Sequence, residues 1–132
     1  MDAVIASKFQ GKNVLWIEDD QFLGSMIEKK FHATGCNLNH VTDGEEALKV
    51  LKSDPIPDLV IIDLVLPGVD GFEIIKTLRE DPRTKAVPAA ILSNLSDEKD
   101  VQKAKEYGAD LYLVKASLTL DEIMEKIAPL FK

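Results

Sequence analysis

The amino-acid sequence predicts an α/β domain with a five-stranded parallel sheet and helices on both of its faces. Short runs rich in Val, Ile and Leu alternate with longer stretches of helical period, which is the pattern of repeated strand-helix units. Three of these runs are almost entirely apolar, as expected for strands that are covered on both sides. The length of 132 residues fits one such domain and is too short for two ordinary ones.

Five strands are predicted, over residues 13–18, 37–42, 58–63, 87–93 and 111–115. The first, third and fifth are the nearly continuous apolar runs. The second alternates between polar and apolar residues and is more polar than the others, so we expect it at an edge of the sheet.

Capping residues mark the starts of three helices, because Asp43, Asp70 and Thr119 are each followed three positions later by Glu. Apolar residues recur at helical spacing in the first and last helices. The faces expected to be buried are Leu23, Met26, Ile27, the stem of Lys30 and Phe31 in the first, and Leu120, Ile123, Met124, Ile127 and Phe131 in the last. The fourth helix, over residues 96–107, is mostly charged and is expected to be the most loosely held. Its expected buried residues are Val101, Ala104 and Tyr107.

Composition and termini narrow the class of protein. The 23 acidic residues exceed the 16 basic ones, and no Lys/Arg run is present, so we expect neither a nucleic-acid nor a membrane partner. The apolar runs are too short to span a membrane. Cys36 has no partner for an internal disulfide and no secretory signal is visible, so a cytoplasmic location is expected. Residues 1–12 are interpreted as a frayed N-terminal extension of a domain over residues 13–132.

Polar residues that can take part in metal binding or in catalysis stand at the ends of four predicted strands. They are Glu18, Asp19, Asp63, Ser93 and Lys115. Because ligands in open α/β sheets bind outside the carboxyl ends of the strands, these side chains can converge on one crevice. Three clustered carboxylates favour a hard cation with oxygen ligands, Mg²⁺ above all. Lys115 would add a mobile positive charge, and Ser93 a hydroxyl that can bond a phosphoryl oxygen.

Each of these residues also has a simpler explanation. Asp63 can be a polar strand end, and the acids at 18–20 can be first-turn residues that favour the positive end of a helix, with Asp20 as its N-cap. Ser93 can be a solvated strand end and Lys115 a surface lysine. Their coincidence at successive strand ends favours a common site. His32 and His40 are interpreted as ordinary surface or edge residues, and no zinc site is expected.

Four segments carry a resemblance to a known family. They are residues 14–20 (VLWIEDD), 59–71 (LVIIDLVLPGVDG), 90–93 (AILS) and 108–115 (GADLYLVK). In order and separation they resemble the response-regulator receiver domain of two-component signalling. The resemblance implies a flavodoxin-like (βα)5 fold with strand order 2-1-3-4-5.

The resemblance also implies a phosphorylation site. Asp63 would be the phosphoacceptor and Lys115 the lysine that pairs with the phosphoryl group. A Mg²⁺ ion, or Mn²⁺ in its place, would be held by Glu18, Asp19 and Asp63 together with the backbone carbonyl of Val65.

Further roles follow from the same resemblance. Ser93 would be the hydroxyl of the switch, and Tyr112 the aromatic residue whose rotamer follows it. Val65 and Leu95 would flank the approach of water to the phosphorus. Because neither side chain can orient a water molecule, we expect slow self-dephosphorylation.

Two residues depart from the family pattern. Ala116 follows Lys115 where the family usually has a proline after a cis bond, and a cis bond before a non-proline residue costs about 2.5–4 kcal/mol. Asn94 stands beside Ser93 where the family usually has a small residue, and it is expected to narrow the opening to the site.

The expected function is that of a response regulator that catalyses its own phosphorylation. The phosphoryl donor would be a sensor histidine kinase or a phosphotransfer protein, and the output an unknown protein that binds the fourth helix, fifth strand and fifth helix, unless the chain is a piece of a longer regulator. A pseudo-receiver that binds partners without phosphorylation stays open. An aspartyl phosphatase is disfavoured because Val65 stands where its second Asp is needed, and a flavin-binding module because the acids at 18–20 would repel phosphate.

Overall fold

The computed structural model describes residues 2–131, so Met1 and Lys132 lie outside the described residues. The strands are β1 Asn13–Ile17, β2 Asn37–Val41, β3 Leu59–Ile62, β4 Ala89–Ser93 and β5 Leu111–Val114. All of them are parallel, and their order is β2-β1-β3-β4-β5. The predicted fold class and strand order are therefore confirmed, and β2 lies at an edge as expected.

Within residues 2–131, six α-helices pack around the sheet. They are α1 Ala3–Ser7, α2 Gln21–Ala33, α3 Gly44–Leu51, α4 Gly71–Glu80, α5 Glu98–Tyr107 and α6 Leu120–Ile127, with short 3-10 turns at Lys115–Ser117 and Ala128–Leu130. Between residues 2 and 131, no helix has the length and apolar character needed to cross a membrane.

The predicted helix starts are confirmed by the capping contacts. The side chains of Asp43 and Asp70 accept the backbone N–H groups of Glu46 and Glu73, which satisfies donors that a helix start would otherwise leave unpaired. Thr119 and Glu122 cap each other reciprocally at the start of α6.

Alternation along the strands divides the core into two layers. Val14 and Trp16 of β1 face the layer that contains α2 and α6, whereas Leu15 and Ile17 face the layer that contains α3 and α4. The residue that continues the Val14 and Trp16 side of β1 is Glu18. Glu18 therefore follows directly after a strand that both core layers hold in place.

Several predicted strands end earlier or begin later in the structure. β4 begins at Ala89 and not at residue 87, because Pro88 has no N–H to contribute to a ladder. β3 and β5 end at Ile62 and Val114, so that Asp63 and Lys115 lie just beyond the sheet. Side chains just past a strand end can turn over the edge of the sheet, and in this chain they do.

The expectation of a frayed N-terminal segment is wrong for residues 3–11. Phe9 is 0% exposed, and its ring makes edge contacts with Phe31 and Phe131 at centroid distances of 5.4 and 5.1 Å. The amide of Gly11 donates to the carbonyl of Gly35. The Phe9 side chain therefore holds this segment against the layer that contains α2 and α6. Helix α1 is too short for the spacing of its apolar residues to reveal this packing.

Two helix faces also differ from the prediction. Met26 is 46% exposed, because α2 turns Gly24, Ile27 and Phe31 toward the sheet and Met26 lies outside that stripe. In α5 only Ala104 is fully buried among the expected residues. Tyr107 is 37% exposed and packs its ring edge against Phe72 of α4.

Candidate functional site

Three carboxylates converge at the carboxyl edge of the central strands. Ile17 of β1 is paired in register with Ile62 of β3, so the residues that follow each strand, Glu18 and Asp63, are neighbours. One carboxylate oxygen from each of Glu18, Asp19 and Asp63 lies within 4.8 Å of the others. Glu18 and Asp63 are buried, at 1% and 7% exposure, whereas Asp19 is exposed.

The ammonium group of Lys115 joins two of these carboxylates. Its Nζ lies 2.5 Å from Oε1 of Glu18 and 2.9 Å from Oδ2 of Asp63. Burial alone would lower the pKa of Lys115, but the hydrogen bonds and charges of Glu18 and Asp63 outweigh burial and raise it. Burial raises the pKa of the Glu18 carboxyl, and the hydrogen bond and positive charge of Lys115 oppose that rise.

The backbone around Asp63 fixes the orientation of its carboxylate. Oδ1 accepts the N–H of Val65 at 3.1 Å, and Oδ2 faces Lys115. Gly71, the first residue of α4, approaches this segment so closely that a Cβ there would lie 2.5 Å from the carbonyl oxygen of Asp63. Glycine at 71 is therefore needed for α4 to pack against the strand end that presents Asp63.

A second polar group forms around the end of β4. Ser93 is fully buried, and its Oγ accepts the N–H of Leu95 at 3.2 Å. The hydroxyl of Tyr112 donates to the carbonyl oxygen of Leu95 at 2.7 Å. Burial raises the pKa of Tyr112, with a further contribution from the charge of Asp100. The backbone of Leu95 thus contacts both Ser93 and Tyr112.

The two residues that depart from the family pattern are in contact with each other. Oδ1 of Asn94 accepts the N–H of Ala116 at 2.9 Å. The Lys115–Ala116 peptide bond is trans, since the one cis bond within residues 2–131 precedes Pro55.

His40 supports the acidic cluster, although the sequence indicated only an ordinary edge residue. Its Nε2 lies 2.7 Å from the carbonyl oxygen of Glu18, and Nδ1 lies 3.6 Å from a carboxylate oxygen of Glu28. The ring covers Gly24, where a Cβ would collide with it. Two features of the sequence could have indicated this contact: a glycine inside α2, Gly24, which leaves room for a neighbouring side chain, and a polar residue near the end of β2, His40.

The family of this chain follows from a comparison with known protein families. A family model described as the response regulator receiver domain matches residues 14–128. The chain belongs to this family. As a receiver domain it carries, at the carboxyl edge of its sheet, an acidic pocket suited to a divalent metal and to phosphorylation chemistry.

Relatives of this receiver include longer proteins. The transcriptional regulatory protein AfsQ1 of Streptomyces coelicolor is 37% identical over 103 residues, which is 78% of this chain and 44% of AfsQ1. The chain spans at most about half the length of the curated relatives it matches.

Solved receiver structures share the fold. The Mn²⁺-bound form of response regulator Rcp1 has a TM-score of 0.77 and 25% identity, covering 90% of this chain and 91% of that one. The phosphorylated cyanobacterial phytochrome response regulator RcpA has a TM-score of 0.78 and 25% identity, covering 90% of each chain.

The residues at the acidic pocket fit a hard divalent cation. All three donor side chains are carboxylates, the ligands that Mg²⁺ and Mn²⁺ prefer, and their oxygens are already grouped within 4.8 Å. The exposure of Asp19 leaves one side of the group accessible to solvent, as a cation that retains water ligands requires.

Proposed function

We propose that this receiver is a phosphoacceptor switch that takes a phosphoryl group onto Asp63 from a phosphohistidine partner. The observation that carries the proposal is the position of Asp63, which is buried and in contact with Lys115 through one oxygen. A carboxylate that is held by the protein and faces a cation is suited to attack on a phosphorus atom, whose oxygens the cation can then neutralise.

The reaction balances without a further reactant. One oxygen of the Asp63 carboxylate forms a bond to phosphorus, the bond between phosphorus and the imidazole nitrogen of the donor breaks, and its electron pair stays on that nitrogen. The product is an acyl phosphate. The contribution of the protein is to hold Asp63 in line and to offset the charge on the phosphoryl oxygens with Lys115.

Glu18, Asp19 and Asp63 would hold a Mg²⁺ or Mn²⁺ ion, with the backbone carbonyl of Val65 as a proposed fourth ligand. When bound, such an ion supplies further positive charge to the transferring phosphoryl group. His40 would help this chemistry indirectly, because its contact with the Glu18 carbonyl fixes the backbone from which two of the acids project.

The proposed switch uses the contacts around Leu95. A phosphoryl group on Asp63 would attract the Ser93 hydroxyl and weaken its bond to the Leu95 N–H. The segment after β4 would then settle in a different position, and the Tyr112 hydroxyl, which bonds the Leu95 carbonyl, would move with it. The surface that responds would be formed by α5, β5 and α6.

Partners follow from this chemistry as part of the proposal. The donor is a sensor histidine kinase or a phosphotransfer protein in the cytoplasm. The output partner is a protein that reads the α5, β5 and α6 surface, in this chain or in a longer protein of which it forms part. The acidic net charge favours a protein over nucleic acid as the direct partner of this domain.

The decisive experiment is intact-mass measurement after incubation with Mg²⁺ and a small acyl-phosphate donor. We expect the parent chain to gain one phosphoryl group, and Asp63→Asn and metal chelation to abolish the gain. Asp54→Asn is a matched control, because Asp54 is exposed in the loop before β3, at the end of the strands opposite to Asp63. No gain of mass in the parent chain, or an equal gain in the parent chain and in Asp63→Asn, would contradict the proposal and favour a pseudo-receiver.

A further inference from the structure

The contact between Asn94 and Ala116 lies one residue away from two site residues. Asn94 follows Ser93 at the end of β4, and Ala116 follows Lys115 after β5. The side-chain oxygen of Asn94 accepts the backbone N–H of Ala116 at 2.9 Å, across 22 positions of sequence. The bond therefore joins the two segments that present Ser93 and Lys115.

This bond lies where the sheet no longer holds the two segments together. The last pair in register between β4 and β5 is Ser93 with Val114. Lys115 begins a 3-10 turn, whose own backbone bond, from Leu118 N–H to the Lys115 carbonyl, is long at 3.4 Å. The Asn94 side chain therefore continues the connection between the strands beyond their last ladder pair.

The position of Lys115 depends on the backbone that carries it. Its side chain must reach from the end of β5 to Asp63 at the end of β3, with β4 between them. A lysine side chain is long and turns about several rotatable bonds, so a small rotation of its backbone is amplified at Nζ. Misplacement of a catalytic group by a fraction of an ångström to an ångström lowers rates substantially.

We infer that Asn94 is a positioning residue, which holds the turn after β5 through Ala116 and so keeps the Lys115 ammonium against Asp63. The inference rests on the proposed function, because it assigns Asn94 a part in the same phosphoryl transfer. It requires a residue with an N–H at 116, which alanine has and proline lacks. Asn94 and Ala116, the two residues that depart from the family pattern, thus act together through one hydrogen bond.

The inference separates rate from stability. Asn94 and Ala116 are both exposed, so their bond contributes little to folding. Asn94→Leu keeps the approximate shape of the side chain and removes the acceptor, whereas Asn94→Asp keeps an acceptor oxygen. Asn39→Leu, an equivalent change at an exposed position on the edge strand β2, is the matched control.

The test measures the rate at which a small acyl-phosphate donor labels Asp63 at saturating Mg²⁺, over a range of donor concentrations. We expect Asn94→Leu to lower the limiting rate by about three- to tenfold, the loss that one hydrogen bond supports. The donor concentration at half-maximal rate and the melting temperature should stay near their parent values. Asn94→Asp keeps the acceptor but adds a charge that repels the anionic donor, so it should recover only part of the rate, and Asn39→Leu should label at the parent rate.

A second readout does not depend on phosphorylation. Hydrogen exchange at the Ala116 amide, followed by NMR, should be faster in Asn94→Leu than in the parent chain and in Asn39→Leu. Equal exchange, or equal labelling rates in the parent and Asn94→Leu, would overturn the inference while the proposed function stands. Absence of labelling in the parent chain would overturn the proposed function and the role of Asn94 with it.

Discussion

The ammonium nitrogen of Lys115 lies 2.9 Å from Oδ2 of Asp63, although β4 separates the strands from which the two residues come. The same nitrogen contacts Glu18. One lysine thus offsets the charge of two buried carboxylates, and Asp19 is the member of the acidic group that stays exposed to solvent. This division of the charges has testable consequences for Lys115 and for Asp19.

Replacement of Lys115 by Met should strengthen Mg²⁺ binding and abolish phosphorylation. Removal of the ammonium leaves the carboxylates with more net negative charge, which attracts a divalent cation more strongly. Titration with Mg²⁺, followed by the fluorescence of Trp16 two residues before Glu18, should give a lower Kd for the variant. An unchanged or higher Kd would show that Lys115 does not set the charge of the pocket, and Lys126→Met on α6 is the control.

Asp19→Asn should raise the melting temperature slightly in metal-free buffer and abolish the response to Mg²⁺. The change removes one of three grouped carboxylates and so relieves repulsion. Because Asp19 is exposed, the gain in free energy of unfolding is expected to be at most about 0.5 kcal/mol. Thermal unfolding with and without Mg²⁺ measures both effects. A lower melting temperature without metal would contradict the argument from crowded charges.

The buried thiol of Cys36 should make the fold less stable as the pH rises from 9 to 11. Burial, together with the charge of Asp58, raises the pKa of this thiol from 9.0 to about 11. Within that window the folded chain retains a proton that the unfolded chain loses, so the free energy of unfolding falls with rising pH. The fall from this one group is about 2–3 kcal/mol.

Urea unfolding of the parent chain and of Cys36→Ala at several pH values tests this contribution. The variant should lose less stability than the parent between pH 9 and 11, whatever its stability at pH 7. Slow alkylation of the native thiol at neutral pH should accompany the result. Parallel pH curves for the two chains would mean that Cys36 does not titrate on unfolding.

Phe9→Ala should lower the free energy of unfolding by about 3–5 kcal/mol, the usual loss for a buried phenylalanine. The reason is that Phe9 is fully buried against Phe31 and Phe131. Val4→Ala in the same segment should change stability by less than about 0.5 kcal/mol, because Val4 is 67% exposed. Equal, small effects of both changes in denaturant unfolding would mean that the segment before β1 is not part of the folded core.

Once formed, the acyl phosphate on Asp63 should decay slowly. The side chains of Val65 and Leu95 are 61% and 37% exposed at the edge of the site, and neither can hydrogen-bond an attacking water. Decay after removal of the donor is followed by intact mass in the parent chain, in Val65→Asn and in Leu95→Glu. Faster loss in the variants would support the prediction, and loss from the parent within seconds would refute it.

Much of this molecule could be predicted from local patterns. The apolar runs indicated the strands, and the caps at Asp43, Asp70 and Thr119 indicated three helix starts, because these signals depend on neighbouring residues along the chain. The strand ends also predicted that Glu18, Asp19, Asp63 and Lys115 would meet, since parallel strands bring their carboxyl ends to one edge.

Other contacts between distant segments, which do not follow from the order of the strands, were decided by the tertiary structure alone. The burial of Phe9, the support of the Glu18 backbone by His40 and the bond between Asn94 and Ala116 all join elements that are far apart in sequence. Periodicity and capping report the conformation of one segment at a time. The packing of two segments depends on the shapes and distances of side chains in three dimensions, and this is why the sequence determined the sheet and its acidic edge, whereas the folded chain determined which residues hold that edge in place.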